Sequence, residues 1–491
     1  MNIIIPATGI GKRFKDAGYK ELKPFIKLNE NECILDFVVN CFDKVQDSFY
    51  FIAREQEKEK FTHFATSRKL KAKILVYEGQ KLGPAGTLIG VKDSLSELLD
   101  ESVIVSYCDF GQEWDYKHFL DFIRKNDEAQ GIIPCYTGYH PHLEPIENVY
   151  AVCKTYDKTK LVYKVIEKYH SKDKLSELHS SGMYYFKSLK IAFEAIEKQM
   201  KAKDMLKGEY YLSISNNYLD KVLCYPFVKK FYQFGTPKDF EYAKEKLRKV
   251  KNLVNEETKI SHTIILAAGR GERFVNLNFS QPKPFLPLGN STIMGNILAN
   301  LKLVKTSIIC VGASDHEKYW QDIKTQVRYV KPNKIGAAYS YINACKDLKG
   351  DVLIFPCDLL AKHITPSFEK MRQKADAIIF VARACGFNYD NPDYFTWIRG
   401  DDKGVVSEIS VKHRAENSEW IMIGSFYFKD NQILISCIEE MFDKQMKNNN
   451  EFFIDGVFNL MLGKYKICYV LLDNYFSFGT PQEYLENGYW M

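Results

Sequence analysis

One short pattern of glycine, arginine and lysine occurs twice in this sequence, each time after an apolar run. NIIIPATGIGKRF precedes a KPF tripeptide in the first copy, and HTIILAAGRGERF precedes a KPF tripeptide in the second, with equal spacing from arginine to lysine. Glycines permit a tight turn whose backbone N–H groups approach a ligand and cradle phosphate oxygens. The two cations would meet the same anion. The pattern predicts two phosphate sites, formed by Gly9, Gly11, Arg13 and Lys23 and by Gly269, Gly271, Arg273 and Lys283.

Two other phosphate-binding motifs fit these segments poorly. A P-loop requires GxxxxGK followed by serine or threonine, which neither copy contains. A dinucleotide-binding turn requires GxGxxG, and here Arg-Phe stands where the third glycine would be. The sequence therefore indicates a phosphate site of a different type.

An aspartate follows a strand-like run in each copy. Asp109 comes after SVIVSYC, and Asp358 comes after DVLIFPC. The carboxyl ends of parallel strands form the edge at which α/β proteins bind ligands. Carboxylate oxygens suit Mg²⁺, a hard cation that keeps several waters. We therefore predict Mg²⁺ at both aspartates.

The two copies continue to match well beyond these segments. YCDFG corresponds to PCDLL, SSGMYYFK to MIGSFYFK, KGEYYLSISNNYL to NEFFIDGVFNLML, and QFGTPKDF to SFGTPQEY, in the same order. Landmarks this far apart indicate duplication of a whole domain and not a solenoid repeat. We predict one domain over 1–250 and a second over 260–491. The charged segment 241–262 reads as a last helix running into a connector.

Strand-like and helix-like segments alternate within each copy. Predicted strands include SFYFIA at 48–53, SVIVSY at 102–107 and DVLIFPC at 351–357, and predicted helices include 35–45 and 86–99. Such alternation is typical of α/β domains with a mostly parallel sheet. The back half of each copy is more mixed and leaves room for antiparallel strands.

Composition narrows the class of protein. The 491 residues carry 68 basic and 62 acidic side chains, a net charge of +6, with no separate basic block, so we expect no nucleic-acid partner. The 12 cysteines form no CxxC pair, which favours free thiols over disulfides or structural zinc. No apolar run reaches membrane-spanning length, and no signal sequence is evident. We expect a cytoplasmic protein without a membrane partner, of unknown oligomeric state.

Together, IPATGIGKRF…KELKPF and ILAAGRGERF…QPKPF resemble the signature of nucleotidyltransferases that make sugar nucleotides. The resemblance extends through GPAGT, the Cys-Asp pairs, the SGMYYF and GEYY blocks and FGTP, and so covers nearly the whole chain. The first copy is most similar to the branch that serves capsule and lipopolysaccharide synthesis. The resemblance implies two tandem Rossmann-like (GT-A-like) domains with mixed, mostly parallel sheets. It also implies Mg²⁺ and a reaction of an NTP (CTP, dTTP or UTP) with a phosphorylated small molecule that releases pyrophosphate.

The resemblance also implies residue roles. Arg13 and Arg273 would hold the β- and γ-phosphates, and Lys23 and Lys283 the α-phosphate. The predicted nucleotide-binding residues are Ala7, Thr8, Gly9, Gly11, Gly83, Pro84, Ala85, Gly86, Ala267, Ala268, Gly269, Gly271 and Gly336. The predicted substrate-binding residues are Glu167, Lys168, Gly182, Glu209, Gly424 and Glu451.

The second copy departs from the family pattern at two places. IGAAYS at 335–340 replaces GPAGT, so the two copies would read different bases. SEISVKHR at 407–414 replaces the Glu-Lys pair of the first copy: Glu408 remains, and the cation is displaced to Lys412 or Arg414. These changes predict a different acceptor or a degenerate site.

Both copies lack a second metal-binding aspartate that many relatives place before the late Gly-Thr. Phe234 and Phe478 stand there instead. The metal would then need another ligand, for which the candidates are Glu113, Asp115, Glu209, Glu451 and Asp455.

Three functions remain open on sequence grounds. Both domains are nucleotidyltransferases acting on a sugar 1-phosphate or a phosphorylated small alcohol or amino compound. Alternatively, only the first domain is catalytic and the second is a binding or regulatory module. Finally, both are nucleotide-sugar glycosyltransferases, although these usually carry a DxD motif, which neither aspartate provides.

Overall fold

A computed structural model describes residues 1–145, 150–156, 159–275, 279, 281–414, 417–448 and 450–491. The chain divides into two compact units, Met1–Lys246 and Leu247–Met491. The division falls within helix Pro237–Lys251, so the last helix of the first copy is continuous across it. None of the described helices combines the length and the hydropathy that crossing a membrane requires.

The first unit alternates strands and helices. Its strands are β1 Asn2–Pro6, β2 Ser48–Ala53, β3 Lys71–Val76, β4 Val103–Ser106, β5 Phe110–Glu113, β6 Gly131–Tyr136, β7 Tyr150–Thr155, β8 Leu161–Tyr169, β9 His179–Ser180, β10 Met183–Phe186, β11 Val222–Tyr225 and β12 Lys230–Gln233. Its α-helices are α1 Lys12–Asp16, α2 Ile34–Val39, α3 Lys58–Ser67, α4 Gly83–Ile89, α5 Tyr116–Lys125, α6 Leu189–Lys201, α7 Leu212–Ser215 and α8 Pro237–Lys251.

Ten of these strands form one mixed sheet in the order β11-β8-β7-β9-β6-β10-β4-β1-β2-β3. The strands β4, β1, β2 and β3 run parallel, with Ile4 opposite Tyr50 on one side and Val105 on the other. The neighbouring β10 is antiparallel to both β4 and β6. Strands β5 and β12 form a separate antiparallel pair. The parallel half therefore matches the prediction for the front of the copy, and the mixed half contains the antiparallel strands left open for its back.

The second unit repeats this order. Its strands are β13 Thr258–Ala267, β14 Pro287–Leu288, β15 Ser291–Thr292, β16 Val304–Ala313, β17 Gln326–Val330, β18 Val352–Pro356, β19 Leu359–Ala361, β20 Ala377–Arg383, β21 Thr396–Gly400, β22 Val406–Val411, β23 Trp420–Phe428, β24 Ile467–Leu471 and β25 Tyr475–Ser477. Its α-helices are α9 Glu272–Val275, α10 Ile293–Asn300, α11 Ala337–Cys345, α12 Pro366–Arg372, α13 Gly386–Asp390, α14 Asn431–Asp443, α15 Val457–Met461 and α16 Pro481–Gly488.

The main sheet of the second unit has the order β17-β16-β13-β18-β23-β20-β24, with β21 and β22 attached through β23. The parallel strands β17, β16, β13 and β18 correspond to β3, β2, β1 and β4, and β23 is antiparallel to β18 as β10 is to β4. The pair β19–β25 corresponds to β5–β12. The predicted fold class, two α/β domains with mixed and mostly parallel sheets, is confirmed.

Each sheet is buried on both faces. Ile3 and Ile5 enter one core of the first unit, whereas Ile4 enters the core on the opposite side of the sheet. The second unit likewise has two cores, which Ile264 and Ile265 enter separately. Burial on both faces explains the uninterrupted apolar runs before the glycine turns, because a strand covered on both sides needs no polar face.

Several predicted elements differ in extent. The helix expected at 35–45 ends at Val39, and the one expected at 86–99 divides into α4 and a 3₁₀ helix, Lys92–Leu98. The connector expected up to residue 262 is shorter, because β13 begins at Thr258.

Candidate active site

A lysine–aspartate ion pair lies at the carboxyl end of the parallel strands in each unit. Lys23 is in a 3₁₀ turn, Lys23–Phe25, and its Nζ lies 2.7 Å from Oδ2 of Asp109, just after β4. In the second unit Lys283 begins the corresponding turn, Lys283–Phe285, and its Nζ donates to Oδ2 of Asp358. The KPF tripeptide thus carries the lysine to the strand end that holds the aspartate, in both units.

The two pairs differ in electrostatic environment. The Asp358 side chain is 17% exposed, against 33% for Asp109. Burial by itself would lower the pKa of Lys283, but the neighbouring Asp358 carboxylate raises it above its usual value. Burial also raises the pKa of the adjacent thiols Cys108 and Cys357 to about 12, so neither is a nucleophile at neutral pH.

The glycine turn packs directly against the lysine. A methyl group on Gly11 would lie 3.3 Å from Cβ of Lys23, and one on Gly271 would lie 3.6 Å from Cβ of Lys283. Arg13 follows in α1. Burial raises the pKa of Asp239, and the positive charges of both Arg13 and Lys23 oppose that rise. Arg13 and Lys23 therefore lie on the same side of the first unit, near Asp239.

Not every residue predicted at the turn reaches a ligand surface. Ala7 and Ala267 are each 2% exposed, and the Ala7 N–H donates to the carbonyl of Ile52 within the sheet. Thr8 has its hydroxyl 3.0 Å from that of Thr87, at the base of the turn.

The predicted base-reading loop is fixed by backbone hydrogen bonds in the first unit. The Ala85 N–H donates to the carbonyl of Tyr210 at 3.1 Å, and the Tyr210 N–H donates to the carbonyl of Leu82 at 2.8 Å. Gly83 lies in this contact, with φ +82°, and a methyl group there would lie 2.8 Å from the Tyr210 oxygen. Only glycine fits so close to another backbone in a left-handed conformation. Gly83 opens α4, whose first turn contains Pro84, Ala85 and Gly86.

The second unit uses the same arrangement despite its different sequence. Ala338 donates to the Phe452 carbonyl at 3.1 Å, and Phe452 donates to the Ile335 carbonyl at 2.7 Å. Gly336 has φ +121°, and a methyl group there would lie 2.4 Å from the Phe452 oxygen. The loop geometry is therefore shared, whereas its side chains differ.

Lys168, a predicted acceptor-binding residue of the first unit, and Lys412 occupy equivalent places in the two units. Lys168 and Lys412 both have left-handed backbones, with φ of 53° and 60°. The Lys168 ammonium lies over the ring of Tyr211 at 5.0 Å, and that of Lys412 over the ring of Phe453 at 5.6 Å. The expectation of a displaced cation is therefore wrong for Lys412.

Glu408 does not accompany this lysine as the sequence suggested. Its carboxylate pairs with Arg399 at 2.6 Å, and both side chains are about half exposed, at 41% and 51%. Arg414 instead lies over the rings of Tyr389 and Trp397.

The second unit gathers its predicted residues around one cleft of about 700 Å³. This volume is typical of small-ligand sites. The predicted residues that line it are Ala268, Gly269, Gly271, Arg273, Lys283, Gly336, Asp358, Gly424 and Glu451, and further lining residues include Tyr394, Phe395, Thr396, Lys412, Phe453 and Asp455.

The corresponding acceptor-side residues of the first unit also lie near one another. Gly182 accepts from the N–H of Tyr107, two residues before Asp109. Burial raises the pKa of Glu167, which accepts a hydrogen bond from Ser213. Glu209 contributes to the raised pKa of Tyr211, which is due first to burial, and Arg13 opposes that rise. A cavity of the first unit, of about 660 Å³ beside Cys33 and Arg68, is lined by none of the predicted site residues.

The late Phe-Gly-Thr segment explains the absence of a second aspartate there. Phe234 and Phe478 are fully buried, and their N–H groups donate to the carbonyls of Asp109 and Asp358. The next residue, Gly235, accepts from Lys23 Nζ at 3.3 Å. The segment thus supports the aspartate and the lysine through its backbone.

The other carboxylates proposed for the metal have different surroundings. Glu113 pairs with Lys230 at 3.3 Å, and Asp115 caps α5. Glu451 and Asp455 line the cleft of the second unit. Within the described residues, no group of three or more His, Cys, Asp or Glu side chains is placed to hold a metal ion.

The site nevertheless fits a magnesium ion that is completed by a substrate. Among described residues, Asp109 has its side-chain partner only on Oδ2, which leaves Oδ1 available. Mg²⁺ in phosphate-handling proteins is held by one or two carboxylates together with phosphate oxygens and water. Asp109 and Asp358 would each supply one such carboxylate.

The sequence reasoning missed several residues of this region. Asp239, Thr87 and Thr396 were not singled out, and Asp455 was considered only as a metal ligand. Asp239 follows the late Gly-Thr-Pro, so its place in the FGTPKDF block was the available signal. Thr396 had none, because it lies on β21, a different strand from the one that ends just before Lys412, and the pairing of β21 with β22 brings it to the cleft.

These features define an α/β phosphate-binding domain that occurs twice. The profile of the nucleotidyl transferase family matches residues 2–250 and again residues 262–491, so the chain belongs to this family and carries its domain in tandem.

Relatives and solved structures resemble parts of the chain. "Bifunctional protein GlmU" of Methanococcus maripaludis is 25% identical over 176 residues, covering 35% of this chain and 40% of the relative. The protein of the same name from Methanocaldococcus jannaschii is 22% identical over 227 residues, covering 45% and 52%. The chain thus spans about half or less of these relatives. A nucleoside-diphosphate-sugar pyrophosphorylase structure from Vibrio cholerae is 18% identical, with a TM-score of 0.39, covering 46% of this chain and 98% of its own. An inositol-1-phosphate CTP transferase structure from T. maritima is 14% identical, with a TM-score of 0.37, covering 47% and 96%.

Proposed function

We propose that each domain transfers a nucleoside monophosphate from an NTP to a phosphorylated small molecule and releases pyrophosphate. The observation that carries this proposal is the lysine–aspartate pair beside a glycine turn in both units, Lys23–Asp109 and Lys283–Asp358. Two anions must approach each other in this reaction, and a paired cation at the strand edge offsets their repulsion.

The residues of the first unit divide the work as follows. An oxygen of the acceptor phosphate attacks the α-phosphorus, and the bond from that phosphorus to the bridging oxygen of the β-phosphate breaks. Lys23 stabilises the charge that develops on the α-phosphate, and Arg13 holds the departing pyrophosphate. Gly9 and Gly11 supply backbone donors, and the loop at Gly83 positions the base. The second unit repeats these roles with Lys283, Arg273, Gly269, Gly271 and Gly336.

Magnesium belongs to this proposal, with Asp109 and Asp358 as its protein ligands. When bound, the ion would neutralise phosphate charge. The proposed donors are CTP, dTTP or UTP, and the proposed acceptors are a sugar 1-phosphate or a phosphorylated small alcohol or amino compound. We further propose that the activated products supply glycosyl or related transfer in surface-polysaccharide synthesis.

The test uses the full-length chain with Mg²⁺, the four common NTPs plus dTTP, and a panel of phosphorylated acceptors. We expect release of pyrophosphate with at least two NTP–acceptor pairs, and loss of that release in EDTA. Release of a free nucleoside diphosphate from a nucleotide sugar, without pyrophosphate, would instead establish the glycosyltransferase alternative.

The alternative that only the first domain is catalytic is motivated by the altered base loop of the second. Its signature is a single active NTP–acceptor pair that Lys23→Ala abolishes, together with NTP-dependent thermal stabilisation that Lys283→Ala abolishes. The domain limits 1–250 and 260–491 also stay a prediction, and limited proteolysis followed by mass spectrometry tests them.

A further inference from the structure

The acceptor side of the first unit contains a carboxylate paired with a hydroxyl. Glu167 lies near the end of β8, directly before Lys168, and accepts a hydrogen bond from Ser213 in α7. The carboxylate therefore comes from the strand and the hydroxyl from the helical segment after the GEYY block.

The second unit contains the same two groups, a carboxylate and a hydroxyl, but on different elements. Val411 precedes Lys412 and so takes the position of Glu167, which leaves this strand end without a carboxylate. Asp455 follows Glu451 at the spacing by which Ser213 follows Glu209, and so takes the position of the serine. The Asp455 carboxylate accepts a hydrogen bond from Thr396, at the start of β21.

Asp455 faces the ligand space of the second unit. Both Asp455 and Thr396 line the cleft, together with Lys412 and Glu451. Burial raises the pKa of Asp455, while the Thr396 hydroxyl and the Lys412 charge oppose the rise. A buried carboxylate is costly unless partners satisfy it, and a ligand group that donates a hydrogen bond is such a partner.

We propose that Asp455, oriented by Thr396, binds the acceptor in the second domain and replaces the carboxylate that Glu167 supplies in the first. The group it recognises is a hydrogen-bond donor on the non-phosphate end of a phosphorylated small molecule, either a hydroxyl or an ammonium group. This inference rests on the proposed function of the second domain. It assigns no acceptor role to Glu408.

The test measures the acceptor KM for pyrophosphate release by the full-length chain in a Lys23→Ala background, which silences the first domain. Glucose 1-phosphate and inositol 1-phosphate probe hydroxyl recognition, and ethanolamine phosphate probes ammonium recognition. We expect Asp455→Asn to raise the acceptor KM about 10-fold or more, because the ligand donor loses a charged acceptor, with NTP KM unchanged. The probe that shows this effect identifies the donor group.

A carboxylate relocation and a matched control complete the design. The double variant Val411→Glu/Asp455→Ser copies the first unit and should return the acceptor KM to within about 3-fold of the starting value. Glu408→Gln removes the carboxylate that the sequence pointed to and should leave both KM values unchanged. An unchanged acceptor KM in Asp455→Asn, or an equal rise in Glu408→Gln, overturns the inference.

Binding separates this inference from the proposed function. Thermal stabilisation of the same proteins by each acceptor, with NTP and Ca²⁺ in place of Mg²⁺, is measured alongside turnover. Stabilisation that depends on Asp455 without pyrophosphate release supports the inference and contradicts catalysis in the second domain. Pyrophosphate release that is independent of Asp455 supports catalysis in the second domain and contradicts the inference. If none of the three probes produces either effect, the inference is overturned.

Discussion

Each unit has a nucleotide side, formed by the residues proposed to bind the NTP, and an acceptor side, formed by those proposed to bind the phosphorylated acceptor. These two sides have diverged to different degrees between the units. On the nucleotide side, both units keep the glycine turn, the lysine–aspartate pair and the backbone contact at Gly83 or Gly336. On the acceptor side, the carboxylate has changed element, and the partly buried Tyr107 of the first unit is replaced by Pro356, which lines the second cleft. Under the proposed function, duplication preserved the residues that would bind the triphosphate and changed those that would select the acceptor.

The largest effect expected from this comparison is the loss of one activity at a time. Lys23→Ala and Lys283→Ala should each lower kcat of their own domain by about 10²–10³-fold, because each removes a cation from the developing charge on the α-phosphate. Pyrophosphate release with the NTP–acceptor pair of each domain measures this. The activity of the other domain should not change.

Two exposed lysines outside the site serve as controls for these variants. Lys27→Ala and Lys302→Ala should leave both activities intact. Loss of both activities in either site variant would show that the two pairs do not act independently and would break the comparison.

Next in size is the effect of a methyl group in the base loop. Gly336→Ala and Gly83→Ala should raise the NTP KM of their domains by on the order of 10-fold or more, since the methyl group forces the loop away from the neighbouring backbone. Gly336→Ala should have the larger effect, because its methyl group meets the Phe452 oxygen at 2.4 Å, against 2.8 Å for Gly83 and Tyr210.

Two other glycines have a similar left-handed backbone but no atoms close to an added methyl group. They separate the steric clash from the backbone strain. Gly463 and Gly208 have φ of +78° and +80° with nothing near an added methyl group. Gly463→Ala and Gly208→Ala should cost about 1 kcal/mol of unfolding free energy from backbone strain and leave the NTP KM unchanged. A similar KM rise in these controls would refute the steric explanation.

A third prediction concerns stability and distinguishes the two ion pairs. Asp358→Asn should lower the free energy of unfolding by about 1–3 kcal/mol, because it leaves Lys283 without its partly buried partner. Asp109→Asn should cost less, since Asp109 is more exposed. Asp358 raises the pKa of Lys283 above 10.5, so this stabilisation is complete at neutral pH and is lost as pH rises through the raised value.

Urea unfolding of the full-length chain, followed by tryptophan fluorescence, measures these differences. Trp114 reports on the first unit, whereas Trp320, Trp397, Trp420 and Trp490 report on the second. Asp347→Asn removes an exposed partner of Arg328 and should change stability by less than about 0.5 kcal/mol. Equal losses for Asp109→Asn and Asp358→Asn would contradict the difference in burial.

The sequence predicted the parts of this site that depend on local spacing. The glycine turn, the KPF lysine and the strand-end aspartate follow one another along α/β elements whose order fixes their position. The repeated motif was therefore sufficient to expect Lys23 and Asp109 at one site, although it did not predict the ion pair between them. The same logic placed Gly336, because a glycine before a helix marked the loop even though its neighbours had changed.

The exchange of Glu167 and Ser213 for Val411 and Asp455 was beyond this reasoning. The two exchanged residues lie on different elements and meet only through a tertiary contact. A search of the sequence for a glutamate near the lysine finds Glu408 instead. Likewise, the burial of Ala7 and Ala267 was not evident, because a motif gives no sign of where the strand ends and the ligand surface begins.

The smallest effect concerns charge at the edge of the nucleotide side. Glu272 follows Gly271 and pairs with Lys334, two residues before Gly336, at 3.1 Å. The equivalent positions of the first unit hold Lys12 and Lys81, which cannot pair with each other. Glu272→Lys should change stability by less than about 1 kcal/mol, because the side chains of the pair are 63% and 72% exposed.

The same variant should nevertheless make the second domain resemble the first in its response to salt. An added cation beside the phosphate site should lower the NTP KM about 2- to 5-fold at low ionic strength, and the gain should vanish above about 0.5 M salt, where screening is short-ranged. Glu317→Lys makes the same change of net charge at an exposed position outside the cleft and should leave the NTP KM unaltered. An identical response in both variants would mean that net charge, and not the placement of charge at the turn, separates the two nucleotide sides.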